Sequence, residues 1–218
     1  MALAMASVLT NSCKKEEETI EIKDGDGNVY TSVTIGPQVW INGNLKTTRY
    51  LNGDLIGTTN PAELDISGES SPRYQWPCNG DESNVSVYGR LYTYYAVSDS
   101  RGICPDGWHV PSDPEWTALT TFLGGESVAG GKLKEQGTAH WESPNTGATD
   151  EYGFKAVPGG DRDPGSGFWS FGTSGMWWSR SEVDAILVHC RALNYNAASV
   201  ENFDGNKKSA FCVRCIKD

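Results

Sequence analysis

Two cysteines close to the C-terminal end of the sequence have the spacing of a redox or metal site. They belong to the run Cys212-Val213-Arg214-Cys215. A redox pair of this type needs its first Cys at a helix N-terminus, which lowers the pKa of the thiol, but this run has the pattern of a strand. Because strand positions i and i+3 point to opposite faces, the two sulfurs cannot join each other or bind one ion. We therefore expect no catalysis and no metal from this motif.

The histidines and paired carboxylates have no arrangement typical of an enzyme. His109 lies in an expected core segment, which favours a structural role. His140 and His189 lack the neighbouring carboxylate and nucleophile that acyl transfer needs. Asp113 and Glu115 are explained by helix capping. A glycosidase stays an open alternative, because its two carboxylates need only be close in space.

An acidic, glycine-rich run near the N-terminus resembles the start of a calcium-binding loop. Residues 24–28 read Asp-Gly-Asp-Gly-Asn, but Ile35 stands where such a loop needs a bidentate Glu. The sequence therefore predicts a hairpin turn here and no metal.

Tryptophan is the residue type that most suggests binding. The chain has eight Trp, and most of them lie in segments expected to form the core. Four aromatic residues in loop-rich stretches are candidates for an exposed, sugar-stacking platform, namely Trp141, Trp169, Tyr195 and Phe203. The calcium-dependent motifs of sugar-binding lectins are absent, so any sugar binding is expected to rely on aromatic stacking.

Composition excludes two broad classes of function. The 218-residue chain has a net charge of −10, which argues against binding to a nucleic-acid backbone. No apolar run reaches the roughly 18 residues that a membrane span needs. The chain is long enough for one domain with a substantial core, and its 25 Gly and 10 Pro predict many turns.

The first residues resemble the signal of a bacterial lipoprotein. A short apolar stretch within residues 1–12 precedes Cys13, which is the expected lipid attachment site. The next five residues form a charged tether, similar to the export tether of Bacteroidota surface lipoproteins: Lys14, Lys15, Glu16, Glu17 and Glu18. We expect a protein anchored on the outer face of the outer membrane. The alternative is an unstructured tail with a chance Cys and a solvated linker.

Residues 19–218 are expected to form one domain. Alternating residues at 19–22 and 29–35 predict a β-hairpin. A capping box that begins at Ser112 predicts a helix to residue 123, and a second helix is predicted over residues 89–98. The second half is predicted to be loop-rich and to end in strands at 184–193 and 209–216. This order of elements predicts an α+β fold.

Seven short motifs give this domain a family resemblance. They are 27–30 (Gly-Asn-Val-Tyr), 35–40 (Ile-Gly-Pro-Gln-Val-Trp) with 44–46 (Asn-Leu-Lys), 88–92 (Tyr-Gly-Arg-Leu-Tyr), 104–111 (Cys-Pro-Asp-Gly-Trp-His-Val-Pro), 153–154 (Gly-Phe) leading to 158–160 (Pro-Gly-Gly), 177–179 (Trp-Trp-Ser) and 213–215 (Val-Arg-Cys). In this order they are similar to the Fibrobacter succinogenes major paralogous domain, common in surface lipoproteins of Bacteroidota and Fibrobacterota. The sequence departs from the family pattern at residues 41–43, where Met-Ala-Glu is common.

That family in turn resembles the formylglycine-generating enzymes, whose fold is a variant of the C-type lectin fold. The resemblance implies a C-type-lectin-like fold for this chain. Those enzymes use paired cysteines with copper, but the motif around their catalytic cysteines is missing from this sequence. We therefore expect no cofactor, and an enzyme of this fold is only a distant alternative.

The resemblance and the strand geometry together predict how the cysteines pair. Cys104 and Cys215 both belong to family-like motifs, and we expect them to form a disulfide that closes a loop of about 110 residues. Cys212 faces the other side of the terminal strand, so its best partner is Cys190 in the preceding strand-like run. Cys78 is left free.

These observations predict a non-catalytic, lipid-anchored surface module for binding or assembly. Its recognition loops are expected at about 137–150, 159–175 and 194–208. The partner expected first is a protein, with the domain serving as an accessory protein of an outer-membrane complex or as an adhesin. The alternative partner is a polysaccharide, bound by the loop aromatics. Clustered exposed aromatics would favour the polysaccharide, and a large apolar patch would favour the protein.

Overall fold

The computed structural model of the chain describes residues 21–218. The predicted signal segment at residues 1–12, and the predicted lipid attachment site and tether at residues 13–18, lie outside the described residues. Within the described part, thirteen strands and four helices form the domain.

The strands form three antiparallel sheets. In chain order they are β1 (Ile22–Lys23), β2 (Val29–Ile35), β3 (Gln38–Asn42), β4 (Gln75–Pro77), β5 (Arg90–Thr93), β6 (Trp108–His109), β7 (Asp161–Asp163), β8 (Gly167–Trp169), β9 (Ser174–Glu182), β10 (Leu187–Asn194), β11 (Val200–Asn206), β12 (Ala210–Phe211) and β13 (Ile216–Lys217). The strand order is β1-β2-β3-β13-β6 in the first sheet, β4-β5-β12-β7-β8 in the second and β11-β10-β9 in the third.

Helices contribute little to this architecture. They are α1 (Val85–Tyr88), α2 (Tyr94–Val97), α3 (Asp113–Phe122) and α4 (Glu126–Leu133), with 3-10 turns at 78–80 and 82–84. Together these make up only about 16% of the described residues. The predicted α+β, C-type-lectin-like fold with two main helices is therefore wrong, and the fold is β-rich.

The second predicted helix, over residues 89–98, is one source of this error. Residues 90–93 instead form β5, which lies between β4 and β12 and is buried along its whole length. Only the four residues of α2 are helical. A strand buried on both faces is apolar without alternation, so its pattern does not distinguish it from a buried helix.

The helix predicted at residue 112 is confirmed as α3. Ser112 Oγ accepts a hydrogen bond from the Glu115 main-chain N–H, and the Glu115 carboxylate accepts one from the Ser112 main-chain N–H at 2.7 Å. This reciprocal capping satisfies donors that the first helical turn leaves unpaired. Trp116 and Leu119 then bury one face of the helix in the core.

Helix α4 has no counterpart among the predicted elements because it contains Gly130 and Gly131. Glycine disfavours a helix interior, so the sequence pattern did not predict a helix here. At both positions, an added Cβ would collide with main-chain atoms, those of Ser199 and of Gly147 respectively. The two glycines therefore allow loops to pack directly on the helix.

The predicted N-terminal hairpin is confirmed. Strands β1 and β2 pair in the register Ile22↔Tyr30. In the turn between them, the Asp24 carboxylate accepts hydrogen bonds from the N–H groups of Asp26 and Asn28, both at 3.0 Å, and from the Tyr30 hydroxyl at 2.5 Å. The acidic run thus forms a turn, as its sequence predicted.

The second half of the chain contains more strands than predicted. The expected loop at 159–175 contains β7 and β8, and the expected loop at 194–208 contains β11. The strand predicted at 184–193 is confirmed as β10. The run predicted at 209–216 is divided into β12 and β13, which belong to different sheets.

Buried side chains form two clusters on opposite sides of the β9 strand. Trp177 belongs to the first cluster, together with Trp40 and Trp76, and the adjacent Trp178 belongs to the second, together with Tyr92. Successive strand residues face opposite sides, so one strand supplies both clusters.

The cysteines are divided between the same two core clusters, and only cysteines of one cluster can pair. The predicted disulfide between Cys104 and Cys215 is confirmed, with an S–S distance of 2.02 Å. The predicted pair of Cys190 with Cys212 is wrong, because Cys190 lies in the second cluster and Cys212 in the first. Cys78 is free, as predicted, and it is buried.

Candidate ligand-binding groove

A polar groove of about 320 Å³ lies where β2, β3 and α1 meet the segments after α4. Amides, hydroxyls, two ammonium groups and one carboxylate line it, with a few valines between them. Its lining includes the side chains of Asn42, Lys46, Ser86, Val87, Glu135 and Lys155. Such a mixture of polar groups and small apolar surfaces suits a hydroxylated ligand.

Buried hydrogen bonds fix one wall of the groove at Tyr30 and Lys46. The Tyr30 hydroxyl donates to the Asp24 carboxylate and accepts a hydrogen bond from the Lys46 main-chain N–H at 2.9 Å. Burial, together with the Asp24 carboxylate, raises the pKa of Tyr30 well above its usual range. Tyr30 therefore stays a neutral donor, and the backbone of Lys46 is held in place.

The floor of the groove is fixed by Asn44. This buried amide donates to the Tyr88 carbonyl oxygen at 2.9 Å, and its oxygen accepts a hydrogen bond from the Trp177 indole N–H at 2.8 Å. Gly89 follows Tyr88 with φ +76°, and a Cβ there would lie 2.7 Å from the Leu45 carbonyl oxygen. Only glycine allows the two segments to approach this closely.

Lys155, on the opposite side, has a left-handed backbone with φ +52°. Two hydrogen bonds support this conformation. Its main-chain N–H donates to the Asp150 carboxylate at 2.8 Å, and its carbonyl oxygen accepts from the Arg214 guanidinium at 3.4 Å. A non-glycine residue in this region is costly, so the surrounding structure holds Lys155 in position. Its side chain is exposed at the groove.

The two lysines of the groove have no partner within residues 21–218. Of the sixteen Lys and Arg residues in that range, twelve form an ion pair or a side-chain hydrogen bond; Lys46, Lys155, Arg180 and Lys217 do not. Two of these four line one groove on a chain whose net charge is −10. The groove therefore offers a ligand two ammonium groups that form no ion pair or side-chain hydrogen bond within residues 21–218, together with the single Glu135 carboxylate.

A row of aromatic rings continues the surface beyond Glu135. The Glu135 carboxylate accepts a hydrogen bond from His140 at 2.6 Å. The Tyr88 ring packs edge-on against His140, with centroids 5.5 Å apart, and lies 4.6 Å from the Phe171 ring. We call Tyr88, His140 and Phe171 the aromatic rim. All three side chains are half-buried, so each ring packs against its neighbours and keeps some surface exposed to solvent.

The four aromatic residues proposed from the sequence do not form one platform. Trp169 is 57% exposed, but Trp141 is 1% exposed and donates its indole N–H to the Ala156 carbonyl oxygen at 2.9 Å. Tyr195 packs against the first core cluster and Phe203 against the second. The assignment of Trp141 to an exposed platform is therefore wrong, and of the four residues only Trp169 is exposed.

Trp141 is buried because Lys134 organises the loops around it. The Lys134 ammonium is buried 5.3 Å from the Trp141 ring and donates to the carbonyl oxygens of Thr146, Asn194 and Ala197 at 3.0, 2.9 and 2.7 Å. Burial lowers the pKa of Lys134 to about 8. One side chain thus joins two segments that the sequence predicted as independent recognition loops.

Sequence reasoning missed the groove residues because they are dispersed along the chain. Asn42, Ser86, Glu135 and Lys155 belong to four separate segments and to no motif. Asn44 and Lys46, in contrast, belong to the family motif at residues 44–46. One further signal pointed to this region. The chain departs from the family pattern at residues 41–43, and Asn42 and Gly43 both line the groove.

The other histidines that the sequence offered as possible catalytic residues form hydrogen bonds with carboxylates of the same fold. His109 hydrogen-bonds to Asp218 through Nδ1 at 2.6 Å and to Glu115 through Nε2 at 2.9 Å, and His189 pairs with Asp204 at 3.0 Å. Within residues 21–218 no cluster of three or more His, Cys, Asp or Glu side chains is arranged to hold a metal ion. No helix in the same range has the length and apolar character to cross a membrane.

The fold and the groove define a β-rich domain with a polar, partly aromatic surface site. A model of the Fibrobacter succinogenes major domain family matches residues 33–217, and the chain belongs to that family. The family resemblance predicted from the seven motifs is therefore confirmed. No curated protein and no solved structure matches the chain, and the relation to formylglycine-generating enzymes is not shown.

Proposed function

We propose that this domain is a non-catalytic binding module of a surface-anchored lipoprotein, and that its groove binds an acidic polysaccharide. The observation that carries the proposal is the pair of ammonium groups, Lys46 and Lys155, that have no direct partner in residues 21–218 and share one polar groove beside the aromatic rim. Of the two ligand classes expected from the sequence, the groove favours the polysaccharide.

The chemistry of the groove matches that of a sugar chain. A sugar presents hydroxyl groups that both donate and accept hydrogen bonds, together with small apolar C–H faces. Asn42, Ser86 and Glu135 offer both kinds of hydrogen-bonding group. Val87, which is 41% exposed, and the ring of Tyr88 offer apolar surface. Fixed walls reduce the entropy lost on binding.

The two lysines indicate which sugar class fits. A neutral glycan offers the two ammonium groups only hydroxyl oxygens as acceptors, whereas the carboxylates of a polyuronate would pair with them as ions. Charge-assisted hydrogen bonds are about twice as strong as neutral ones. The rest of the acidic chain repels a polyanion, so a polyuronate is expected to bind through this groove or not at all.

Titration calorimetry with a defined oligouronate and a neutral oligoglucan of equal length tests the proposal. The oligouronate should bind, and Lys46→Gln with Lys155→Gln should weaken binding at least about tenfold. Lys217→Gln is the matched control, because Lys217 is also exposed and unpaired within residues 21–218 but lies outside the groove. Equal binding of both glycans, or equal loss in the control variant, would contradict the proposal.

A protein partner is the second candidate, favoured by a separate observation. The outer face of α3 and Pro37 form an open, mostly apolar hollow of about 700 Å³. Phe122 at its edge is 48% exposed and packs against Tyr152, with ring centroids 5.8 Å apart. A partner on this face would make the domain an accessory protein of an outer-membrane complex or an adhesin. A partner protein that co-purifies with the native chain, and is lost with Phe122→Ser, would favour this candidate.

A further inference from the structure

Within residues 21–218 three cysteines are free, and two of them lie side by side in the core. The side chains of Cys78 and Cys212 are both fully buried. A Cβ on Gly159 would lie 3.0 Å from the Cys78 Sγ and 2.9 Å from the Cys212 Sγ. The two sulfurs are therefore no more than about 6 Å apart, and Gly159 leaves room for both.

The two thiols also share one acceptor. The Tyr88 carbonyl oxygen lies 3.5 Å from the Cys78 Sγ and 4.0 Å from the Cys212 Sγ. The same oxygen already accepts a hydrogen bond from the Asn44 amide. The thiols therefore converge on a point directly beneath Tyr88, the residue that joins the groove to the aromatic rim.

Sheet topology explains why residues so far apart in sequence meet here. Strands β4 and β12 lie on either side of β5, and both pair with it antiparallel. They therefore run in the same direction and leave the sheet at the same end. Cys78 follows the last residue of β4, and Cys212 follows the last residue of β12. Gly89 lies at that end, just before β5, and its carbonyl oxygen accepts a hydrogen bond from the Cys78 main-chain N–H at 3.4 Å.

We propose that Cys78 and Cys212 form a second disulfide in this domain. In the structure the two sulfurs are not bonded to each other. The oxidant is a disulfide, either a small molecule such as oxidised glutathione or a disulfide-carrying oxidoreductase. One thiolate attacks the oxidant to give a mixed disulfide and releases one thiol. The second cysteine then attacks the mixed disulfide and releases the second thiol. The protein loses two protons and two electrons, and the oxidant gains them.

Burial determines when this reaction occurs. A buried thiol is inert towards reagents in solution, and burial together with Cys212 raises the pKa of Cys78 well above its usual range. The disulfide therefore forms before the core closes, while the chain folds in an oxidising medium. Once formed, it would link the segment before α1 to the terminal strands and fix the backbone beneath Tyr88.

The third free cysteine provides an internal control. Cys190 is also fully buried, but it lies in the second core cluster, with Gly205 and Trp178 as neighbours. Cys190 therefore shares the burial of Cys78 and Cys212 but lies away from both. Any reagent effect that depends only on burial should affect all three cysteines equally.

Non-reducing peptide mapping of the full chain tests the proposal. The unfolded, reduced chain is refolded with a mixture of oxidised and reduced glutathione, alkylated in denaturant and digested. We expect a cross-linked peptide that contains Cys78 and Cys212, with the mass of two hydrogens lost, and an alkylated Cys190 in the same sample. Cys190→Ser should leave the cross-link unchanged, and Cys212→Ser should leave Cys78 alkylated.

A stability measurement provides a second test that does not depend on any variant. The chain refolded with glutathione should melt at least about 5 °C higher than a chain in which Cys78 and Cys212 stay reduced, because the cross-link closes a loop of more than 100 residues. Alkylation of both cysteines in a chain whose Cys104–Cys215 bond is intact would overturn the proposal. A cross-link of Cys78 to any other cysteine, or a metal ion that keeps both thiols reduced, would overturn it too.

Discussion

Arg214 donates a hydrogen bond to the carbonyl oxygen of Phe154 at 2.6 Å, and its guanidinium carbon lies 4.2 Å from the centre of that residue's ring. The Arg214 side chain is fully buried and forms no ion pair with a carboxylate in residues 21–218. Its remaining hydrogen bonds go to oxygens of Ile41, Asn44 and Lys155. Burial lowers the pKa of Arg214 to about 9. This guanidinium thus connects the terminal segment to both sides of the groove.

The first prediction follows from this contact. Arg214→Met should lower the free energy of unfolding by about 2–4 kcal/mol, because it leaves buried carbonyl oxygens without a donor. Chemical denaturation measures the change. Arg180→Met is the control, since Arg180 is exposed, and it should change stability by less than about 0.5 kcal/mol. An Arg214→Met chain as stable as the unchanged chain would mean that desolvation of the charge cancels its hydrogen bonds.

The second prediction distinguishes two tryptophans that the sequence treated alike. Trp141→Ala should lower the free energy of unfolding by about 3–5 kcal/mol, because it removes a buried indole and leaves a cavity. Trp169→Ala should lower it by less than about 0.5 kcal/mol, because Trp169 is 57% exposed. Thermal denaturation of the two variants measures the difference. Equal effects would contradict the burial of Trp141.

The third prediction concerns acid stability. The Asp99 carboxylate accepts hydrogen bonds from Arg101 at 2.8 and 2.9 Å and from Arg73 at 2.9 Å. These bonds, chiefly those from Arg101, hold the pKa of Asp99 well below its usual range. A carboxyl with a lowered pKa in the folded chain stabilises the fold above its unfolded pKa of about 4, and this contribution is lost as the pH falls towards the folded value.

Asp99→Asn should therefore cost about 1 kcal/mol at pH 7, the order expected for a partly exposed ion pair. The difference between the variant and the unchanged chain should shrink steadily below about pH 4. Urea denaturation at a series of pH values measures it. A difference that stays constant down to pH 2 would show that Asp99 acts through packing rather than through its charge.

The fourth prediction concerns the disulfide between Cys104 and Cys215. It closes a loop with a sequence separation of 111 residues, for which the chain-entropy model gives about 4–5 kcal/mol. The double variant Cys104→Ser, Cys215→Ser should lose up to this amount. Under reducing conditions the unchanged chain and the double variant should be equally stable, and a large discrepancy would mean that the serines themselves disturb the core.

The fifth prediction tests the proposed lipid anchor. Cys13→Ser should release the domain from the membrane without unfolding it, because the core clusters lie entirely within residues 21–218. Neutral residues in place of Lys14, Lys15, Glu16, Glu17 and Glu18 should keep the lipid but reduce surface display. Protease accessibility on whole cells measures display. Unchanged accessibility after the tether replacement would contradict the export role.

Local signals in the sequence determined several elements of this protein. The capping box at Ser112, the hairpin turn at Asp24 and the motifs of the family each depend on residues within a few positions of one another. The disulfide between Cys104 and Cys215 was predictable because both residues belong to those motifs. The predicted alternation of side chains also put Cys212 and Cys215 on opposite sides, and they lie in different clusters, although residues 212–215 fall between β12 and β13.

Tertiary structure decided the rest, because the deciding contacts join distant segments. Residues 90–93 became a strand only because β4 and β12 pair on either side of them. The Gly130 and Gly131 positions are helical only because loops pack against them. Trp141 is buried where the Lys134 ammonium binds carbonyl oxygens of Trp141's own loop, at Thr146, and of the distant segment at Asn194 and Ala197. The groove likewise combines four segments, and no local pattern encodes which side chains of distant segments will face one another.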